Sequence, residues 1–253
     1  MFKTLNALVL REVRYKEADR ILTLLTDSEG KLTVRARGAL RKSSRTAAAT
    51  QQLTYSEMTL FGNRGRWTVD EAVVKEGFEG LRGDMEKLAL ASYFAECAEA
   101  LSVEDQPEPE LLQLALNCLY ALSRGLCAGE KIKAAFETRL MCISGYAPEL
   151  RACSVCGKEP EQPVLNLDHG CVCCRDCGGA GEKLELGADG LAALRFLSTA
   201  PAKQLLSFDL PDEDLRRLER ASERYLLRRA ERGFATLDYW KKIKNFTRTG
   251  NEL

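Results

Sequence analysis

Two cysteine pairs carry the clearest chemistry in this 253-residue chain. Cys153-Ser-Val-Cys156 and Cys174-Arg-Asp-Cys177 are each a C-x-x-C turn followed at once by a glycine, Gly157 and Gly178. Seventeen residues separate the pairs, a spacing suited to a structural metal site. Four thiolates satisfy tetrahedral Zn²⁺ and leave no open position for a substrate, so the pairs point to a structural zinc staple and away from metal catalysis. The glycine after each pair tolerates the positive φ that a tight knuckle needs. The second pair has competitors: Cys171–Cys174 is also C-x-x-C, and His169 could replace a thiolate. Glycine placement favours Cys153, Cys156, Cys174 and Cys177.

A second constellation lies more than a hundred residues upstream. Between positions 31 and 66 stand eight basic residues, Lys31, Arg35, Arg37, Arg41, Lys42, Arg45, Arg64 and Arg66, against one acid, Glu57, for a net +7. The whole chain is formally neutral, so the remainder carries −7. Such polarity is an argument for a polyanionic partner. Two of the arginines share a strand face, and the loop from Gly38 to Arg45 adds guanidinium, ammonium and hydroxyl donors able to wrap a phosphate backbone. These eight residues are the candidate DNA contacts. Tyr55, Phe61 and Trp67 are candidate stacking surfaces for bases. Arg216, Arg217, Arg220, Arg224 and Arg228 form a later basic run, but Glu219, Glu223 and Glu231 interleave with them, which favours ordinary surface pairing.

Other chemistry is poorly provided for. There is one histidine, His169, and it falls between the cysteine pairs. The chain has no Gly-x-Ser-x-Gly elbow, P-loop or Gly-x-Gly-x-x-Gly fingerprint, and the expectation is a protein that is not an enzyme. Charged residues interrupt every apolar run in positions 1–30, which excludes a secretory core or membrane span there and leaves a cytoplasmic protein. Ten cysteines in that compartment do not make a disulfide framework. Cys97, Cys118, Cys127 and Cys142 sit in apolar helical stretches and read as small buried hydrophobes.

The elements that must position these residues change character near position 80. Before it, Ala7–Val13, Ile21–Thr26, Leu32–Arg37, Leu53–Phe61 and Trp67–Val74 read as strands, with turns at 27–30 and 62–65. Five strands in about seventy residues fit a small closed barrel of the OB type. The third is the plainest: Leu32, Val34 and Ala36 alternate with Lys31, Thr33, Arg35 and Arg37, which places the first set in the core and the second outside. Beyond residue 83 the period is helical. Stripes at Leu88–Leu101, Leu112–Leu126 and Ile132–Ile143 precede the cysteine module, and Leu191–Leu197 and Asp212–Arg232 follow it. Residues 244–253 read as a frayed polar tail. The expected fold class is α+β: a five-stranded OB-fold barrel over residues 1–80, then a helical domain over 81–253 with a four-cysteine zinc module inserted at about 150–182.

In this order the chain resembles the bacterial RecO family of recombination mediators. The matching residues are Leu8-Val-Leu-Arg11, Glu17-Ala-Asp-Arg20, Leu22-Thr-Leu-Leu-Thr26, Gly30-Lys-Leu, Ala36-Arg-Gly-Ala39 and Lys42-Ser-Ser-Arg45. Ser92-Tyr-Phe-Ala-Glu96, Arg139-Leu140, Gly145-Tyr-Ala-Pro-Glu-Leu150 and the two C-x-x-C-Gly pairs continue the match, with Cys171 and Cys173 as departures from the usual quartet. The resemblance implies binding of single- and double-stranded DNA and annealing of complementary strands, at the nucleoid. It also implies work with RecR to load RecA onto DNA coated by single-stranded DNA-binding protein, whose C-terminal tail would be a contact. A structural, dispensable zinc is implied as well. The competing reading from composition alone is a zinc-ribbon RNA-binding or transcription accessory protein on the same barrel.

Overall fold

The computed structural model describes residues 1–63, 65–177 and 180–250, the side chains as far as 246. It divides into two compact units, residues 1–124 with 234–253, and residues 125–233.

The first unit begins with five strands: β1 (Phe2–Tyr15), β2 (Asp19–Thr26), β3 (Lys31–Ala36), β4 (Tyr55–Asn63) and β5 (Arg66–Glu76). They close into a barrel in the order β1-β2-β3-β5-β4, antiparallel except for the β3–β5 seam. Alternation sets the core. Leu5, Ala7 and Val9, Leu22 and Leu24, Leu32, Val34 and Ala36, Met58, Leu60 and Val69 point inward. The alternation expected on β3 is observed, with Leu32, Val34 and Ala36 buried and Thr33 and Arg37 exposed. A bulge between Val9 and Arg11 shifts the register of β1; Leu8 and Leu10, outside the inward set, are buried as well, and α1 packs against this strand.

Three helices complete this unit: α1 (Met85–Leu101), α2 (Pro109–Arg124) and, from the chain's end, α6 (Ala235–Gly250). Asp84 starts α1 by accepting from the amides of Glu86 and Lys87. Proline occupies the first helical position of α2, where a missing N–H costs nothing. α1 packs against β1, α2 and α6 and is buried on several sides, with Tyr93, Phe94 and Trp240 at full burial. The apolar stripe read from sequence is therefore too narrow for α1, and Leu88 lies at its exposed edge. Leu126 is exposed because α2 ends before it. α6 runs as helix to Gly250, so the tail expected to fray from 244 is helical that far, and residues 251–253 lie outside the described residues.

Gly30 and Lys31 seat the barrel on these helices. Gly30 has φ +67°, and a Cβ there would stand 2.0 Å from the carbonyl oxygen of Gln106. Only glycine allows that approach. Lys31 then donates from Nζ to the carbonyls of Glu99 (3.0 Å) and Ser102 (2.9 Å). These are orphan acceptors at the end of α1, where a cation also meets the negative end of the helix dipole.

The second unit holds α3 (Gly129–Ile143), a three-stranded sheet of β6 (Pro163–Asn166), β7 (Cys171–Cys174) and β8 (Lys183–Glu185) in the order β7-β6-β8, then α4 (Gly187–Thr199) and α5 (Asp212–Ala230). α5 stops at Ala230, where Glu231 takes the left-handed conformation (φ +52°), two residues short of the expected end at Arg232. On α3, Ile132, Phe136 and Leu140 form the expected stripe, but Lys133 and Glu137 are also at 0 % exposure. Lys133 Nζ lies 3.0 Å from Glu137 Oε1 and 2.9 Å from Glu223 Oε2, and Ser222 donates to Glu137 (2.7 Å). Glu219 and Glu223 of α5 thus turn inward toward Lys133. The interleaved charges suggested surface pairing along α5, whereas these two carboxylates approach Lys133 of α3. Among the described residues no helix is long and apolar enough to cross a membrane.

Candidate nucleic-acid interface and metal centre

One face of the barrel collects most of the expected basic residues. A groove of about 730 Å³ is lined by Tyr15, Ile21, Thr33, Arg35, Arg37, Phe61, Arg66 and Trp67 among others. It is the face made by β2, β3 and the β1–β2 and β4–β5 turns, the one OB-folds use for oligonucleotides. A second groove of about 680 Å³ adjoins it, lined by Lys16, Glu17, Ala18, Asp19, Arg35, Arg37, Gly38 and Arg41. Arg35 and Arg37 belong to both. Arg37, Arg41, Lys42, Arg45 and Arg66 are exposed, and none makes an ion pair among the described residues. Lys42 and Arg45 lie on the loop between β3 and β4 and line neither groove. Lys31 is not brought to this face, since its ammonium serves the end of α1. Arg64 lies outside the described residues.

Arg35 is held unlike the others. Its Nε (2.8 Å) and Nη2 (2.5 Å) both donate to Oδ2 of Asp19, while Asp19 Oδ1 accepts from the amide of Gly38 (2.8 Å). The Gly38 amide and the Arg35 guanidinium hold the Asp19 carboxyl below the usual carboxylate range. The Arg35 guanidinium carbon sits 5.2 Å from the centroid of the Tyr15 ring. Next in sequence, Arg20 donates from Nη1 to the Ala47 carbonyl (2.9 Å) and to Thr50 Oγ1 (3.1 Å), and approaches Glu12 at 3.5 Å. These bonds pin the basic loop to β2. Tyr15, Lys16, Asp19 and Arg20 are not among the residues that the sequence marks for this site. Their signal is the charged Lys16-Glu17-Ala18-Asp19-Arg20 turn between two strands, which reads as ordinary solvent-facing turn chemistry.

Two of the three candidate stacking aromatics reach the groove. Phe61 is 39 % exposed and packs on Phe2, its partner across β1, with centroids 5.1 Å apart. The Trp67 ring lies over Gly62, where a Cβ would come within 2.6 Å of it, and Lys3 stands 5.7 Å from its centroid. Tyr55 pairs with Leu8 at the far end of β4 and does not line the groove.

In the second unit the sulfurs of Cys153, Cys156, Cys174 and Cys177 all lie within 4.8 Å of one another, a group that could hold a metal ion. Tetrahedral Zn–S bonds of about 2.3 Å would set sulfurs ~3.8 Å apart, and Cys156 Sγ to Cys174 Sγ is 3.9 Å. Backbone amides point at the sulfurs, Cys174 N to Cys153 Sγ and Glu161 N to Cys174 Sγ, both at 3.3 Å, as suits thiolates needing charge stabilisation. The Cys156 amide leads in drawing the Cys153 thiol down to about 6. The crowding of Cys156 and Cys153 pushes Cys177 up to about 12. Four sulfurs this close cannot all ionise without a cation among them, so the donor set fits a divalent metal. Gly157 has φ +72° as the first knuckle requires; Gly178 lies outside the described residues. The alternative ligands are placed elsewhere: Cys171 Sγ contacts Ser154 Oγ (3.3 Å), Cys173 packs with Val164, and His169 is exposed on the β6–β7 turn.

The arginines of α5 tie this module down. Arg224 pairs with Glu182 (2.5 Å), Arg228 with Asp168, and Arg229 donates to the Asp168 carbonyl (3.2 Å). Arg217 pairs with Glu213 and Asp214 of its own first turn. Of the four early cysteines, Cys97 and Cys118 are fully buried, whereas Cys127 and Cys142 are only partly so.

Comparison with known proteins agrees with this architecture. Residues 1–78 match the family model for the recombination protein O N terminal domain, and residues 82–238 that for the recombination protein O C terminal domain. A protein named DNA repair protein RecO from Acetivibrio thermocellus is 33 % identical over 240 residues, covering 94 % of this chain and 96 % of its own. One of the same name from Symbiobacterium thermophilum is 32 % identical over 251 residues, covering 95 % and 97 %. Another from Desulforudis audaxviator is 40 % identical over 173 residues, covering 68 % and 69 %.

Proposed function

The chain belongs to the RecO family of DNA repair proteins, and from that premise we propose that it is a non-enzymatic recombination mediator that anneals complementary strands. In this reading it binds single- and double-stranded DNA through the barrel. With RecR it helps load RecA onto DNA coated by single-stranded DNA-binding protein, whose C-terminal tail it contacts, at the nucleoid. The observation that carries the reading is a set of exposed basic side chains with no ion pair among the described residues: Arg37 and Arg66 line a groove with Phe61 and Trp67, Arg41 lines the adjoining groove, and Lys42 and Arg45 follow on the same loop. Phosphates meet cations there while unpaired bases meet ring faces. Annealing makes and breaks no covalent bond. It requires only that two phosphate backbones be brought together at reduced electrostatic cost, which such a face provides.

The metal in this reading is Zn²⁺, held by Cys153, Cys156, Cys174 and Cys177. It supplies folding energy to the second unit and takes no part in strand pairing. The deciding experiment is annealing of complementary oligonucleotides with and without the single-strand coating protein. Acceleration on both substrates is the expected result. Binding without acceleration would reduce the protein to a passive binder and refute the proposal.

A further inference from the structure

The two adjoining grooves differ in chemistry. The larger holds Tyr15, Phe61 and Trp67. The other holds Lys16, Arg37 and Arg41 with no aromatic residue. Arg35 stands in the wall between them, and its electrostatics set it apart. Asp19 neutralises it through two hydrogen bonds, its guanidinium carbon stands 5.2 Å from the centroid of the Tyr15 ring, and only about a third of its side chain is exposed. Three guanidinium N–H groups remain free of Asp19, since the carboxylate takes Nε–H and one of the Nη2 hydrogens. A phosphate approaching this side chain would compete with a carboxylate already bound. Lys16, Arg37 and Arg41 have no ion-pair partner among the described residues and release counterions without that competition.

We infer that Arg35 is a stacking and hydrogen-bonding plane that sorts one unpaired strand between the two grooves, with bases on the Tyr15–Phe61–Trp67 side and phosphates on the Lys16–Arg37–Arg41 side. Asp19 is the positioning residue, because it sets the orientation of Arg35 and cancels its charge. The inference rests on the single-strand-binding reading above. It departs from it in giving two neighbouring arginines of one strand, Arg35 and Arg37, different ligands.

The test measures affinity of the full-length chain for a fluorescent oligothymidine and for an abasic oligomer of equal length, between about 50 and 200 mM salt. Arg35→Ala should weaken the base-bearing strand ~10-fold, leave the abasic strand unchanged and leave the salt slope unaltered. Arg35→Lys keeps the charge without the plane and should not rescue. Arg37→Ala and Arg41→Ala should weaken both strands alike and lower the slope by about 0.7 each. Asp19→Asn, by releasing Arg35 as a free cation, should steepen the slope by about 0.7. A purely structural Asp19 would not produce that gain. Equal loss on both strands with a reduced slope in Arg35→Ala overturns the inference, and a thermal melt identifies any variant that has lost its fold. Should Asp19→Asn be one, Arg35→Ala decides alone. Failure of the unaltered protein to bind either strand refutes the parent reading instead.

Discussion

Removing the basic loop should change how DNA binding responds to salt, and by an amount the structure sets. Six exposed basic side chains, Lys16, Arg37, Arg41, Lys42, Arg45 and Arg66, make no ion pair among the described residues. If each meets one phosphate of a single strand, the slope of log affinity against log salt is about 0.7 per contact, or roughly 4.2 in all. Between 50 and 200 mM salt the affinity then falls roughly three-hundredfold. The triple variant Arg41→Ala, Lys42→Ala, Arg45→Ala leaves three contacts, a slope of about 2.1 and a fall of only roughly twentyfold. Fluorescence anisotropy of an oligothymidine across a salt titration reads both numbers directly. The fold should survive, because the loop is held by Arg20 on Ala47 and Thr50 and by Ser56 on Ala49, none of which is altered. A slope unchanged in the triple variant would refute the reasoning, since it would mean these charges do not displace counterions.

Three further outcomes are expected. Cys153→Ser should drop the zinc content, read by plasma mass spectrometry, from about one ion per chain toward none; the melting temperature should fall with it while DNA affinity per folded molecule is retained. Lys133→Met strands Glu137 in the core beside Glu219 and Glu223, a loss of about 3–5 kcal/mol or roughly 6–20 °C in melting temperature. In the wild type the three carboxylates outweigh burial and raise the Lys133 ammonium above its ordinary pKa, so its contribution is complete below that value and is lost only in strong alkali. A melting temperature in Lys133→Met unchanged from wild type would count against the cluster. Gly62→Ala places a Cβ against the Trp67 ring, so the indole should shift, with altered tryptophan emission and weaker single-strand binding. Unchanged emission would show that the ring does not rest on Gly62.

What the sequence revealed was whatever has a local period or spacing. The alternation at Leu32, Val34 and Ala36 placed β3 because a side-chain period of two is written in consecutive residues. The cysteine pairs were legible because each knuckle is a four-residue unit whose backbone demands are met by a neighbour such as Gly157. What escaped depends on partners distant in the chain. Asp19 holds Arg35 across 16 residues and Arg20 holds Thr50 across 30. Neither separation has a signature, because they follow from barrel closure. Lys31 reads as part of a basic face, yet its place opposite the end of α1 is fixed by contacts 68 and 71 residues away. The helical period of α3 marks only its apolar stripe and cannot show that α5 brings carboxylates and a serine to Lys133 and Glu137.

One short turn organises both cationic parts of the barrel face. Asp19 fixes the guanidinium of Arg35 and the amide of Gly38, the residue at which β3 passes into the basic loop. Arg20, its neighbour, fixes the middle of that loop through Ala47 and Thr50. Ordering long side chains and loops at an interface costs about 0.5–1.5 kcal/mol for each one immobilised on binding. Where the protein has already ordered them, that cost falls on folding and not on DNA capture. Arg37, Arg41, Lys42, Arg45 and Arg66 make no ion pair among the described residues. A strand can therefore be gripped by free charges that adapt to any backbone path while its bases meet surfaces already in place. In the proposed reading, this division lets a strand of any sequence be held while its bases stay oriented for a complementary strand.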